Sequence, residues 1–129
     1  MRWRFAGLMG IAGVLCAAMV VLALSEARNL GHFAPFAFVA ASVTAFALWP
    51  SLSFTKRVKA FGSGALVALL SHVPFNALLM LYGIGSETTW QVALEAFFPV
   101  ILIGWIVAGI PEAVIGGIAG IAWREWEGR

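Results

Sequence analysis

The chain has 129 residues, of which 62% are hydrophobic and 11% are charged. A soluble domain of this size does not carry so much apolar surface, so the composition predicts an integral membrane protein with a single transmembrane domain. The net charge of +2 comes from Lys and Arg residues at the ends of apolar runs. This pattern is typical of the flanks of membrane helices and excludes a groove for nucleic acid.

Four apolar stretches predict membrane-spanning helices, because a helix needs about 20 apolar residues to cross a hydrocarbon layer of ~30 Å. We expect an all-α bundle with spans at about 5–24, 33–49, 60–84 and 99–123. A short amphipathic helix is expected at the membrane surface over residues 87–98, where Trp90, Leu94 and Phe98 share one face. Pro99 is expected to redirect the chain from this helix into the last span.

The start of the chain fits two interpretations. Arg2 and Arg4 precede the first apolar run and Ser-Glu-Ala follows it at residues 25–27, as in a cleavable secretory signal. The apolar run is nearly long enough to cross a bilayer, which favours a retained first helix.

Lys and Arg residues are distributed unevenly among the predicted links. The start holds two, the second link holds Lys56, Arg57 and Lys59, and the tail holds two more, whereas the first link has only Arg28 and the third link has none. The positive-inside rule therefore predicts four crossings of a bacterial inner membrane with both termini in the cytoplasm. A five-crossing alternative would split the last apolar run at Pro111, but each half would then be too short to span.

Glu112 is the only charged residue in the last predicted span. A carboxylate at this depth costs several kcal/mol, about 2.5 to 3.5 for Asp on insertion scales, so it should face protein or a wet cavity. Small residues lie three or four positions away on the same helical face, at positions 108, 109, 116 and 119. Such residues let a neighbouring helix approach closely.

The third predicted span carries the other polar side chains of the membrane interior. His72 and Asn76 share a helical face, and Pro74 between them predicts a kink. His72 follows Lys59 by thirteen residues and Glu112 precedes Arg124 by twelve, which corresponds to depths of about 19 and 18 Å. We therefore predict that His72, Asn76 and Glu112 converge near the middle of the bilayer and form a binding site.

Three interpretations of this cluster stay open. The cluster is a structural clasp of hydrogen-bonded side chains, or a transport site in which His72 and Glu112 carry a proton or bind a divalent metal ion. The third is axial ligation of a haem or chlorophyll by His72, although no second histidine lies at a matching depth. Ser71 and His72 are adjacent and point in different directions, so they do not form a nucleophile–base pair, and we expect no enzyme activity. The residues identify no cofactor.

The segment at residues 93–124 resembles the final helices of the cobalt/nickel permease subunits of energy-coupling-factor transporters. The Gly-Ile-Pro-Glu-Ala sequence at residues 109–113 is similar to a Gly-Ile-Gly-Glu-Ala-type motif that leads into a last small-residue helix in that family. Those permeases take their metal ligands from a Met-His-Ile-Pro start, whereas this chain opens with Met-Arg-Trp-Arg. The resemblance implies a membrane component of a transporter that docks on partner subunits, such as an ATPase module.

Together these observations predict a small permease-like membrane component of a transporter, with a non-transporting accessory subunit of a larger complex as the alternative. A stripe of small residues in the last span offers more close-contact surface than three neighbouring helices use. We therefore expect a homo-oligomer or partner membrane subunits within the lipid bilayer. The stripe consists of Gly109, Ala113, Gly116, Gly117 and Gly120.

Overall fold

The computed structural model describes residues 1–23, 30–83 and 89–128, which form helices and contain no strand. The helices are α1 (Arg2–Ala23), α2 (Leu30–Leu48), α3 (Arg57–Leu70), α4 (His72–Gly83) and α5 (Trp90–Glu127), and a 3₁₀ turn covers Trp49–Ser51. Four spans result when α3 and α4 are taken together, and each is long and apolar enough to cross a membrane. The chain is an all-α membrane protein, as its composition predicts.

The helices follow the predicted spans closely, although the predicted ends at residues 24 and 84 lie outside the described residues. The last span differs most from the expectation. Residues 87 and 88 are not described, and from Trp90 the predicted surface helix continues directly into the last span as one helix of 38 residues. At 1.5 Å per residue α5 is about 57 Å long and extends well beyond a ~30 Å hydrocarbon layer.

Pro99 and Pro111 both lie inside α5 without ending it. Each proline removes only one backbone donor, and the rest of the helical hydrogen bonds hold the axis together. Membrane helices tolerate such positions because neighbouring groups compensate locally. Pro99 therefore does not redirect the chain into a separate helix, and the break at Pro111 that five crossings would require does not occur.

The bundle is built from two closely packed helix pairs, α1 with α2 and α3 with α5, which meet through contacts between α1 and α5. Gly13 allows the close approach of α1 to α2, because a Cβ atom there would lie 2.8 Å from the carbonyl oxygen of Ala37. Small side chains from all these helices fill the centre, and Met9 and Val67 are fully buried there.

The small-residue stripe of α5 is used mainly within the chain. Gly116 and Gly120 pack directly against the backbone of α3 at Gly64 and Ala60, and Gly117 packs against the ring of Phe61. Helix α3 therefore occupies the part of the stripe that was expected to serve oligomerisation. The prediction of an oligomer then depends on other surfaces of the bundle.

An aromatic cluster closes one end of the bundle. Phe5 and Trp123 are almost completely buried, with ring centroids 5.5 Å apart, and the ring of Phe54 lies 5.0 Å from that of Phe5. Because Phe5 lies in the first turn of α1 and Trp123 is near the end of α5, the start of α1 and the end of α5 lie at this end of the bundle. Arg57 at the start of α3 also contacts Glu125 there, at 2.9 Å. The described basic residues of the start, the second link and the tail are thus on one side, as four crossings require.

Candidate functional site

His72 lies at a break in the third span. Helix α3 ends at Leu70 and α4 begins at His72, so the interruption falls just before Pro74. Proline has no N–H for the carbonyl four residues earlier, here that of Leu70. The distortion predicted from Pro74 therefore appears one turn upstream of the proline, and it places the imidazole at the junction of two helical segments.

Side chains satisfy the carbonyl groups around this break. Ser71 Oγ donates to the carbonyl of Ala68 at 2.6 Å, and Trp105 Nε1 on α5 donates to the carbonyl of Leu69 at 2.8 Å. Unpaired backbone groups are costly in the absence of water, so these bonds stabilise a break at membrane depth. The bond from Trp105 also joins α5 to the third span next to His72.

We expect that Trp105→Phe keeps an aromatic side chain but loses the hydrogen bond to the carbonyl of Leu69, which lowers the free energy of unfolding by about 0.5–1.5 kcal/mol. Trp90→Phe is a matched control, because Trp90 lies in the same helix with its side chain 60% exposed. Unfolding in mixed micelles with increasing dodecyl sulfate measures both. Equal stability losses in the two variants would contradict this role for Trp105.

Glu112 lies on α5 at the face that meets α4. Ala108 and Gly116 lie one turn away on either side of Glu112 and are buried in the bundle. The sequence predicts this contact with protein for small residues that share the face of Glu112. The structure places His72 Nδ1 2.8 Å from Glu112 Oε2, with 10% and 14% of the two side chains exposed. His72 and Glu112 thus meet, as their matching depths predict.

The contact is a close donor–acceptor pair. Glu112 Oε2 is enclosed by protein and makes no well-aligned hydrogen bond with the described residues, so the 2.8 Å approach to His72 Nδ1 is short but not linear. Two such groups can share one proton, with the proton on the imidazole or on the carboxyl group. Either form leaves no net charge in the apolar interior, which avoids the large cost of an isolated buried ion.

Gly104 determines how the imidazole fits against α5. A Cβ atom at Gly104 would lie 2.7 Å from His72 Cδ2 and 2.9 Å from Nε2. Only glycine leaves room for the ring at this position. Since Gly104, Ala108 and Glu112 follow each other at four-residue spacing, they form one face of α5 that receives the imidazole.

Asn76 lies one turn beyond His72 and is buried, with 6% of its surface exposed. Its amide Nδ2 donates to the backbone carbonyl of His72 at 2.8 Å. The predicted alternative, in which Glu112 accepts a hydrogen bond from Asn76, is therefore not the arrangement found. Asn76 stabilises the first turn of α4 and also lines the cavity described next.

The His72–Glu112 pair lies on the wall of a cavity of about 460 Å³ that is lined by α1, α2, the third span and α5. Helices α1 and α2 contribute mainly small and aliphatic side chains to this cavity, such as Gly13, Ala37 and Ala41. The polar side chains lie mostly on the opposite wall, formed by the third span and α5. This wall holds Ser71, His72, Asn76 and Glu112, and Cys16 faces it from α1.

A metal ion would find only a partial set of ligands here. His72 and Glu112 are suitable donors, but no group of three or more His, Cys, Asp or Glu side chains comes together within residues 1–23, 30–83 and 89–128. Structural and catalytic zinc sites use at least three protein ligands. The two residues predicted to bind metal are therefore adjacent, and their arrangement suits a proton better than a divalent ion.

Sequence reasoning identified His72, Asn76 and Glu112 but missed two residues that position them. Gly104 was not considered, although the sequence shows it four residues before Ala108 and eight before Glu112. Trp105 carries an indole N–H, which usually finds an acceptor when it leaves water. Its partner, the carbonyl of Leu69, follows only from the packing of α5 on the third span.

Comparisons with protein-family models, with curated proteins and with solved structures give no match for this chain. The resemblance of residues 93–124 to the cobalt/nickel permease subunits is neither supported nor contradicted by them, and it stays a prediction.

Proposed function

We propose that this protein is a small permease-like component of a transporter in which Glu112 and His72 bind and release a proton. The observation that supports this proposal is the 2.8 Å approach of His72 Nδ1 to Glu112 Oε2 on the wall of a 460 Å³ cavity inside a four-span bundle. Ionisable side chains at this depth are costly, and in membrane proteins they commonly mark proton relays or substrate pathways.

The surroundings of the pair favour proton exchange. The carboxyl group and the imidazole are in contact, so a proton can pass between them without crossing apolar space. Water or a substrate can enter a space of this size and would then contact the pair from the cavity. Uptake of a second proton, or loss of the shared one, leaves a net charge that a bound substrate can compensate.

The proposal is tested in proteoliposomes that contain a trapped pH-sensitive dye and an imposed membrane potential. The unmodified protein is expected to move protons at least about tenfold faster than empty vesicles. Glu112→Gln is expected to remove this flux, because the amide group of Gln does not take up or release a proton near neutral pH. Glu95→Gln is the matched control, since Glu95 is an exposed carboxylate of the same helix that accepts a hydrogen bond from Gln91.

A flux that is equal in the Glu112→Gln variant and the unmodified protein would contradict a proton-carrying role for Glu112. If the unmodified protein moves protons no faster than empty vesicles, this result would contradict proton transport by the chain as a whole.

A non-transporting accessory subunit is the second candidate. The observation that favours it is the close fit of the imidazole between Gly104 and Glu112, because interhelical polar contacts also serve to join membrane helices. In that case Glu112→Gln lowers the stability of the bundle, while no proton flux is found in any variant.

We also propose an orientation in the membrane and partners for the protein. We place the basic end of the bundle, which holds both termini, in the cytoplasm of a bacterium whose inner membrane contains the chain. Partner subunits or a second copy would contact the exposed apolar face of α5, where Ile106 and Ile110 are 82% and 80% exposed. An ATPase module on the cytoplasmic side is the partner that the resemblance of the last span implies.

A further inference from the structure

The cavity offers several hydrogen-bond acceptors to a ligand. His72 directs Nδ1 at Glu112, and its Nε2 lies next to Gly104 of α5. The second carboxylate oxygen of Glu112, Oε1, makes no hydrogen bond with the described residues and belongs to a side chain that lines the cavity.

Two further groups of the same wall add acceptor capacity. Asn76 uses its Nδ2 atom on the carbonyl of His72, which leaves the amide oxygen unused within the described residues. Ser71 donates its hydroxyl proton to the carbonyl of Ala68, which leaves the lone pairs of Oγ. A ligand with N–H donors matches these oxygens, whereas an anion would meet the carboxyl group of Glu112 with no Lys or Arg among the described residues that line the cavity.

The remaining walls of the cavity are apolar and match a ligand with an apolar body. The side chains that α1 and α2 place around the cavity are small or aliphatic, apart from Cys16 and Phe33. A volume of about 460 Å³ lies within the roughly 300–1,000 Å³ typical of small-molecule sites. The polar groups lie on one side of this space, so the ligand should be polar at one end only.

We infer that the cavity binds a small apolar molecule carrying one protonated amine, held by Glu112 Oε1 with Asn76 and Ser71 as further acceptors. This inference rests on the proposed function and names the substrate class of the same site. The bound ammonium group replaces the proton that Glu112 shares with His72, so that binding of the amine and loss of the proton occur together. No covalent bond is made or broken.

The test uses 1-naphthylmethylamine, with 1-naphthylmethanol as a neutral analogue of the same shape and 1-naphthoate as an anionic one. Binding is measured at neutral pH to protein in phosphatidylcholine nanodiscs, and empty nanodiscs correct for partition into lipid. The amine is expected to bind at least about tenfold more tightly than the alcohol. Glu112→Gln is expected to remove this preference by lowering the affinity for the amine to about that for the alcohol. Glu95→Gln should behave as the unmodified protein.

A second variant and a second readout keep the test independent of effects on folding. Ala17→Leu places a larger side chain in the cavity from α1 without touching Glu112, and it should weaken binding of both the amine and the alcohol. Cys16 is the only cysteine of the chain and lines the cavity. The amine should therefore slow its modification by N-ethylmaleimide in the unmodified protein and not in Glu112→Gln.

Equal affinities for the amine, the alcohol and the anion would overturn the inference, and would indicate a cavity that takes lipid chains. An amine affinity that survives both Glu112→Gln and Ala17→Leu would also overturn it. These outcomes can be distinguished from those of the proton experiment. Proton flux without selective amine binding removes only the inference, whereas selective amine binding without flux supports it and removes the proton proposal.

Discussion

Replacement of Gly64 by Ala is expected to separate α3 from α5 and to lower the free energy of unfolding by about 3 kcal/mol or more, at the upper end of the range for overpacked cores. A Cβ atom at Gly64 would overlap the carbonyl oxygen of Gly116 and would lie 3.0 Å from the amide nitrogen of Gly120. Backbone atoms cannot rotate away as a side chain can. The helices must therefore move apart, and the neighbouring contacts of Ala68 with Gly116 are lost as well.

Gly62→Ala is the matched control for this prediction. Gly62 lies two residues away in the same helix, and a Cβ atom there meets nothing within 4 Å. The change should be neutral or should stabilise α3 by up to about 1 kcal/mol, because Ala has the higher helix propensity. Unfolding in mixed micelles measures both variants. Similar stabilities would show that the tight crossing of α3 and α5 does not hold the bundle together.

Replacement of His72 by Leu is expected to cost about 3–5 kcal/mol, the usual range when one partner of a buried pair is removed and the other is left behind. The carboxyl group of Glu112 then lies in an apolar wall with neither a charge partner nor a proton donor. Unfolding in mixed micelles with increasing dodecyl sulfate measures this loss.

The double variant separates pairing from packing. His72→Leu combined with Glu112→Leu removes both polar groups, and apolar replacement of a buried pair is often neutral or stabilising by about 1–4 kcal/mol relative to the intact pair. The two single losses should therefore not add, and the double-mutant cycle should give a coupling free energy of up to about 3 kcal/mol. Additive losses would show that His72 and Glu112 act independently, contrary to the contact between them.

Much of the architecture was readable in the sequence because the lipid environment imposes simple requirements on a chain. Apolar runs of sufficient length predict the four spans, and the single acid of the last run predicts a protein-facing position for Glu112. The comparison of depths brought His72 and Glu112 to one level, since α-helices rise uniformly along their axes. These inferences depend only on helix geometry and on the cost of burying charge in lipid.

The prolines were the least informative local signals. Pro74 predicts a distortion and one is found at Ser71, whereas Pro99 and Pro111 lie within a continuous α5. The effect of a missing N–H on a helix axis depends on what else can satisfy the carbonyl and on the packing of neighbouring helices. At Ser71 the side chains of Ser71 and Trp105 supply hydrogen bonds to nearby carbonyls, and this compensation is a property of the assembled bundle.

By itself the sequence determined that this is a helical membrane protein of four spans and that Glu112 and His72 lie at similar depths, because both conclusions follow from hydropathy and a constant rise per residue. Only the tertiary structure decided that α3 takes the small-residue stripe of α5, that Asn76 bonds to its own helix, and that a cavity opens beside the pair. Those features depend on how the helices rotate about their axes and cross. The lack of a side chain at Gly64, Gly104 and Gly116 permits that arrangement, which exists only when all the helices are packed together.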